Sequence, residues 1–557
     1  MQIGTPTRSQ TRKAIPVVAI TRVAAGSRIV VDPAHAEKPY AREPGDSVAP
    51  EESSGRSGKA NGRTPDMHAA EESDSGVVPM NQPNKSGRPP AEVGEGRLEI
   101  KENIAQPNTR PTQSGISVSQ GLSGVRRRAQ ENKQEKFTAL LHHLTVDLLR
   151  ESYFALQRRA APGIDGETWQ QYGTGLEDRL IDLHSRVHRG AYRAKPSRRV
   201  YIPKADGRQR PLGIAALEDK IVQQAVVTIL NQIYEVDFQG FSYGFRPGRS
   251  PHQALDALNV GLVRRKVGWV LDADIRSFFD RMSHEWIMRF VQHRVADPRI
   301  LRLIQKWLKA GVLEEGRWEE TTEGTPQGAV ISPLLANVYL HYVFDLWAEA
   351  WRKKVARGQV IVVRYADDLV GGFQHRADAE LFLKQFGERL AKFGLELHPE
   401  KTRLLEFGRF AAENRRQRGK KKPETFTFLG FVHYCGTSPK GRCMVWRETA
   451  NKRMVAKLKQ IKLTLRRRMH EPLPQIGAWL RRVLQGFYRY HAVPGNLRAM
   501  NVFRHRLQRM WRSVLRHRSQ RARAGWRYIA QLSARWLPIP RVLHPYPQFR
   551  FDAMHPR

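Results

Sequence analysis

Apolar residues recur at helical spacing over Ile221, Val222, Ala225, Val226, Ile229, Leu230 and Ile233, which predicts an amphipathic helix there. A second stripe over Ala379, Leu383, Phe386, Leu390 and Phe393 predicts another, stopped by Gly394. Ser332-Pro333 reads as an N-cap followed by proline at the first helical position, opening a helix with Leu334, Leu335, Val338, Tyr339, Tyr342 and Val343 on one side. Shorter apolar runs predict strands. Trp269-Val270-Leu271 reads as a buried strand ending at Asp272-Ala273-Asp274, and residues 360–363 and 369–370 as two strands flanking a tight turn at Ala366-Asp367. Residues 426–432 read as one further strand, and beyond residue 445 the chain reads as helical and basic. Strands interleaved with helices, then a helical end, describe an α+β body with an α-helical appendage.

Patterning of this kind begins near Gln130. Residues 1–125 are rich in Ser, Gly, Pro and charge, as in Glu51-Glu52-Ser53-Ser54-Gly55, and cannot bury enough apolar surface to offset chain entropy. A disordered N-terminal extension is expected there, with a catalytic body over 126–440 and a basic helical domain with a short tail over 441–557. The charge follows the same division. Of a net +40 over 557 residues, residues 1–120 carry +1, whereas residues 461–557 hold 21 Lys/Arg against two acidic residues. An excess so placed points to a polyanion, and nucleic acid is the commonest one. No run of about 18 uncharged apolar residues predicts a membrane span, so a cytoplasmic protein without membrane contact is expected. Cys435 and Cys443 are too few for a disulfide scaffold and lack clustered partners for zinc; the turn-like segment between them suggests that they face each other across a hairpin.

The sharpest chemistry lies in Tyr365-Ala366-Asp367-Asp368, a carboxylate pair on a turn between apolar strands. Adjacent carboxylates repel, and a divalent cation relieves that repulsion while using them as hard oxygen ligands. The strand ending at Asp274, packed beside the hairpin, would complete a three-carboxylate cage suited to two-metal phosphoryl transfer.

These residues resemble those of reverse transcriptases, and specifically of the reverse transcriptase–maturases encoded by bacterial group II introns. Tyr365-Ala-Asp-Asp368 is similar to the family's catalytic turn, and Asp274-Ile-Arg-Ser-Phe-Phe-Asp280 to its first catalytic strand. Arg199-Val-Tyr-Ile-Pro-Lys204 with Gly207-Arg-Gln-Arg-Pro-Leu-Gly213 resembles the fingers motif. Gly240-Phe-Ser-Tyr-Gly-Phe-Arg-Pro-Gly-Arg-Ser250, Glu323-Gly-Thr-Pro-Gln-Gly-Ala-Val-Ile-Ser-Pro333, Gly394-Leu-Glu-Leu-His-Pro-Glu-Lys-Thr402 and Phe428-Leu-Gly-Phe431 match the blocks that follow, in unbroken order. Gly486-Phe-Tyr-Arg-Tyr490 is a weaker match to the maturase region.

The resemblance implies a right-hand polymerase with fingers, palm and a helical thumb. It implies that Asp274, Asp367 and Asp368 bind two Mg2+. Asp272 shares a face with Asp274 by period-two spacing, so a swapped assignment stays open. Phe279 is expected against the sugar, where it would clash with a ribose 2′-hydroxyl and select dNTPs. Lys204 and Arg210 are expected on the incoming triphosphate, Gln327 near nucleotide and template, and Lys401 beside the catalytic hairpin. Arg246 and Arg249 are expected to track the template backbone, where Arg contacts position a strand without reading it. Arg466, Arg467, Arg468, Arg481, Arg482 and Arg489, interleaved with Trp479, Phe487 and Tyr490, are expected to grip RNA. The implied partners are group II intron RNA and a DNA target or primer. The paired cysteines and His-Asn-His box of an endonuclease domain are not in the sequence, so that activity is not expected. The rivals are another class of bacterial reverse transcriptase, disfavoured by the basic C-terminal region, and a splicing cofactor with a dead polymerase, disfavoured by the intact carboxylates.

Overall fold

The structure, a computed structural model, describes residues 113–557 apart from 204–208, 421, 439–440, 442, 519–523 and 556–557. Most of the extension expected to be disordered, and Lys204, lie outside the described residues. Helix Gln113–Glu131 begins within the stretch assigned to that extension; it packs against helix Leu217–Asp237 and buries Leu122 and Val125. The latter helix contains the whole predicted stripe and buries Ile221, Ile229 and Ile233 completely.

Eleven strands among the described residues form three sheets. They are β1 (Ser197–Pro203), β2 (Gln209–Ile214), β3 (Trp269–Asp274), β4 (Val312–Glu314), β5 (Arg317–Glu319), β6 (Val360–Tyr365), β7 (Asp368–Phe373), β8 (Arg403–Glu406), β9 (Phe426–Phe428), β10 (Phe431–Thr437) and β11 (Cys443–Thr449). The first sheet runs β2-β1-β4-β5, the central sheet β6-β7-β3-β8, and the third β11-β10-β9. All pairs in the central sheet are antiparallel. Its two faces separate by the period-two alternation of strands. Leu271 and Ala273 point into the main core, while Val270 joins Val363, Val370, Leu405 and Phe407 in a second core against helix Pro251–Arg264. Asp272 and Asp274 continue the Val270 face at the end of the sheet where that apolar layer stops.

Three local expectations are corrected. Residues 426–432 are two strands, because Leu429 (φ 47°) and Gly430 (φ 83°) form a two-residue hairpin that pairs Phe428 with Phe431. Ser332 does not cap its helix; Ile331 is already helical, and the Ser332 hydroxyl donates to the Pro326 carbonyl at 3.1 Å. The basic C-terminal region does not begin as helix, because β11 runs to Thr449 and its hairpin spans the expected boundary at 440/441.

Helices Asn451–Arg467, Leu473–His491, Leu497–Arg516 and Trp526–Trp536 gather Leu458, Ile461, Leu480, Leu484, Phe503, Leu507 and Trp511 into a core of their own. Between Pro538 and Tyr546 the chain runs without helix. Leu543 donates its N–H to the Ala492 carbonyl, and the tail ends in helix Pro547–Met554 laid on helix Pro251–Arg264. There Arg264 holds Asp552 through two 2.7 Å bonds, and the buried Asp256 accepts from Arg447 at 2.9 Å and Arg550 at 2.5 Å. Cys435 and Cys443 are free and sit diagonally on the β10–β11 hairpin, opposite Val445 and Thr437 rather than each other.

Candidate active site

Strand register settles which carboxylates meet. Asp274 stands directly opposite Asp368 on β3 and β7, a spacing of about 4.5–5.5 Å between Cα atoms. Asp272 is one step farther in, opposite Val370 and Arg403. This register favours Asp274 over Asp272 as the partner of the turn. Tyr365 pairs with Asp368, so Ala366 and Asp367 alone make the turn. Ala366 sits at φ 55°, a left-handed conformation that alanine adopts only under constraint.

Burial pushes the Asp272 carboxyl up to about 6 despite the Arg403 guanidinium at 3.3 Å, and the charges of Asp368 and Asp274 add to the rise. The Lys401 ammonium is drawn to Asp274 Oδ2 at 2.5 Å. Hard carboxylate oxygens clustered in this way suit a divalent cation. The expected three-carboxylate cage is only partly gathered, however. Among the described residues no three His, Cys, Asp or Glu side chains converge on one point, and Lys401 engages Asp274 instead.

Around the carboxylates, backbone docks on backbone. Phe279 is half-buried, its ring 6.4 Å from Phe245 and edge-on to it, and its carbonyl accepts from Thr325 N–H at 2.9 Å. The Gln327 carbonyl accepts from the Gly213 N–H on β2 at 2.9 Å. Gly328 (φ 123°) lies so close that a Cβ there would meet the Gly213 carbonyl oxygen at 2.8 Å, so only glycine fits this junction. The loop bearing Gln327 is thereby fixed to the strand bearing Arg210, which is exposed.

The expected nucleic-acid residues divide by burial. Arg246 is corrected: its side chain is 3% exposed, ion-paired to Glu235 at 2.9 Å, and it donates to the carbonyls of Gln239 and Ser242 at 2.8 Å. Such a guanidinium is a structural strut and not a phosphate contact. Arg249 is half-buried, donates to Gly240 O and lies over the Tyr243 ring. Arg466, Arg467, Arg482 and Arg489 are exposed. Arg468 pairs with Glu471 and covers Trp479, and Arg481, also exposed, donates to the Arg535 carbonyl and covers Trp536. Asn337, Asp345 and Arg364, which belong to none of the motifs above, lie directly beneath the turn. Their signal was there: a charged residue near the end of an apolar strand and an amide inside the apolar helix of residues 332–340.

Residues 202–433 match the family model described as reverse transcriptase (RNA-dependent DNA polymerase). Strand β3 and the β6–β7 hairpin, which bring Asp274 and Asp368 together, lie inside that stretch. Over 239 residues the chain is 38% identical to protein YkfC of Escherichia coli strain K12, covering 38% of this chain and 62% of that protein. Over 297 residues it is 33% identical to the group II intron-encoded protein LtrA of Lactococcus lactis subsp. cremoris, covering 51% of this chain and 47% of that one. A shorter stretch of 92 residues is 29% identical to nuclear intron maturase 1 of Arabidopsis thaliana, 16% of this chain and 13% of that protein. Over these stretches the chain is thus similar to a group II intron-encoded protein and to an intron maturase. The matches span about half to three fifths of the length of the first two relatives. No helix among the described residues is long and apolar enough to cross a membrane.

Proposed function

We propose that this protein copies RNA into DNA, extending a primer 3′-hydroxyl with dNTPs, and that it binds group II intron RNA to assist splicing and mobility. The observation that carries the reading is the register pairing of Asp274 with Asp368 at the mouth of a hairpin inside the reverse transcriptase stretch. In this reading the first sheet belongs to the fingers, the central sheet is the palm, and the helices after Thr449 are a thumb and maturase domain. Asp274, Asp367 and Asp368 would hold two Mg2+, which would lower the pKa of the attacking 3′-hydroxyl and neutralise charge on the triphosphate as pyrophosphate departs.

The chain's own groups do the positioning. Phe279, held by Phe245 and the Thr325 contact, blocks the space of a 2′-hydroxyl. Arg210, with Lys204, offers donors to the triphosphate, and Gln327 stays beside it because its loop is fixed to Gly213. The exposed Arg466, Arg467, Arg482 and Arg489 meet RNA phosphates, and a DNA strand supplies primer and target. The expected setting is the bacterial cytoplasm.

Extension of a DNA primer on an RNA template, with dNTPs against NTPs, tests this reading. Wild-type protein extends with dNTPs and Asp367→Ala does not; equal extension by both proteins refutes it. RNA recovered with the purified protein then reports whether an intron is the bound partner.

A further inference from the structure

Arg364 is the penultimate residue of β6, two positions before Ala366 of the catalytic turn, and its side chain is 1% exposed. A buried guanidinium is costly to desolvate unless every donor is used. Here Nε and Nη2 fork onto the two oxygens of Asp345, at 2.7 and 2.5 Å. Nη1 donates to Asn337 Oδ1 and to the Ala366 carbonyl, both at 3.1 Å. Ala366 is the residue forced to positive φ.

Asn337 completes a ring. Its Nδ2 donates to the Gly244 carbonyl at 2.8 Å, and Gly244 lies against the turn so closely that a Cβ would meet the Ala366 nitrogen at 2.2 Å. The backbone of Arg364 is also held, its N–H by the Phe241 carbonyl and its carbonyl by the Tyr243 N–H, each at 2.9 Å. Asn337 and Asp345 are completely buried and lie on one continuous helical run, Asp345 at the end of a π-turn over His341–Asp345. Such turns recur at functional sites because they re-aim side chains.

We infer that Arg364, Asn337 and Asp345 are positioning residues that hold the Ala366 carbonyl, and so set the bearing of the Asp367 and Asp368 carboxylates. The inference rests on the polymerase reading above. Arg364 touches no reacting atom; it acts through the turn. The ring also explains how alanine keeps a left-handed conformation: one face of the turn abuts Gly244, and its carbonyl is bound from below by a charged donor.

The test uses the full chain with Asn337→Ala, which removes both links of the amide, and Asn337→Asp, which keeps the acceptor for Arg364 and loses the donor to Gly244. Amide hydrogen exchange is read over peptides covering residues 364–368, and Mn2+ affinity by electron paramagnetic resonance without nucleic acid. Asn337→Ala is expected to speed exchange in that peptide at least ~10-fold while other central-sheet peptides keep wild-type rates. It is expected to weaken Mn2+ binding, and to lower kcat by about 10²-fold, the scale of a 1 Å misplacement, with KM for dNTP unchanged. Asn337→Asp is expected to fall between. Wild-type exchange and Mn2+ affinity in Asn337→Ala overturn the inference, as does a loss of activity that merely follows the folded fraction. Asp367→Ala run in parallel separates the two readings. If Asp367→Ala extends primers normally, the polymerase reading fails; if Asp367→Ala is inactive while the Asn337 variants match wild type, the positioning inference fails alone.

Discussion

The Lys401 ammonium lies 2.5 Å from Asp274 Oδ2, on the carboxylate that faces Asp368 across the sheet. A cation arriving at Asp274 competes with this lysine. An exposed pair of this kind is worth about 1 kcal/mol, or roughly a fivefold change in affinity. Lys401→Gln is therefore expected to lower the Mg2+ concentration for half-maximal primer extension by about fivefold. A Mg2+ titration of the initial rate checks this; a midpoint that rises would mean that the lysine assists the bound state instead.

Phe279 gives a selectivity prediction. Replacing it with Val empties the space beside Phe245 without touching the Phe279 backbone bond to Thr325. The ratio of dNTP to NTP incorporation is expected to fall by about 10–100-fold, in line with what a few apolar atoms contribute to discrimination. Single-nucleotide incorporation kinetics read it directly, with kcat for dNTP nearly preserved.

Burial separates two kinds of arginine. Arg246→Ala strips Glu235, 12% exposed, of its partner and leaves the Gln239 and Ser242 carbonyls without their donor, and is expected to cost about 3 kcal/mol of stability. Arg466→Ala, Arg467→Ala and Arg482→Ala change exposed side chains and are expected to stay within about 0.5 kcal/mol each. The triple variant instead weakens RNA binding and reduces the slope of log affinity against log salt by about 2–3. Denaturant melts and salt-dependent binding curves distinguish the two groups.

Burial also predicts an acid limb. It lowers His252 to about 2, His433 and His491 to about 3, and His341 to about 4, against 6.5 for free imidazole. As pH falls through 6.5 the unfolded chain takes up these protons and the folded chain does not. The stability they contribute is present in full above 6.5 and is lost below it, at about 1.4 kcal/mol per pH unit for each histidine. His252 faces His544, Arg550, Arg447 and His491, stacks on His544 at 3.9 Å, and neither ring nitrogen makes a hydrogen bond. His252→Phe keeps the stack and removes one proton site. Its melting temperature between pH 7.5 and 5 is expected to fall less steeply than that of the wild type.

Gly244 supplies a fifth prediction. Gly244→Ala puts a methyl group 2.2 Å from the Ala366 nitrogen, and overpacking of this kind costs about 1–3 kcal/mol. Primer extension is expected to fall far more than the melting temperature implies, since the displaced atoms belong to the turn itself.

What the sequence made legible was what its periodicity repeats. The stripe from Ile221 to Ile233 needed one long pattern, and the helix Leu217–Asp237 follows it. The carboxylates were legible because charge between apolar strands stands out. What escaped depends on partners distant in the chain. Arg246 reads as a loop arginine until Glu235, on the preceding helix, closes on it. Leu429 reads as mid-strand because nothing local announces its positive φ; the pairing of Phe428 with Phe431 imposes it. The choice between Asp274 and Asp272 is a question of register, and period-two spacing puts both on one face without saying which meets Asp368.

The returning tail has a mechanical consequence. Its residues grasp the helical domain at Ala492 and at Arg489, whose carbonyl is bound by His544, and they grasp the central body at Asp256 and Arg264. A strip anchored on both sides works like a chinstrap. Swinging the helical domain away from the central body means first unbuckling two arginine–aspartate clasps, Arg264–Asp552 and Arg550–Asp256, so the strap resists that motion.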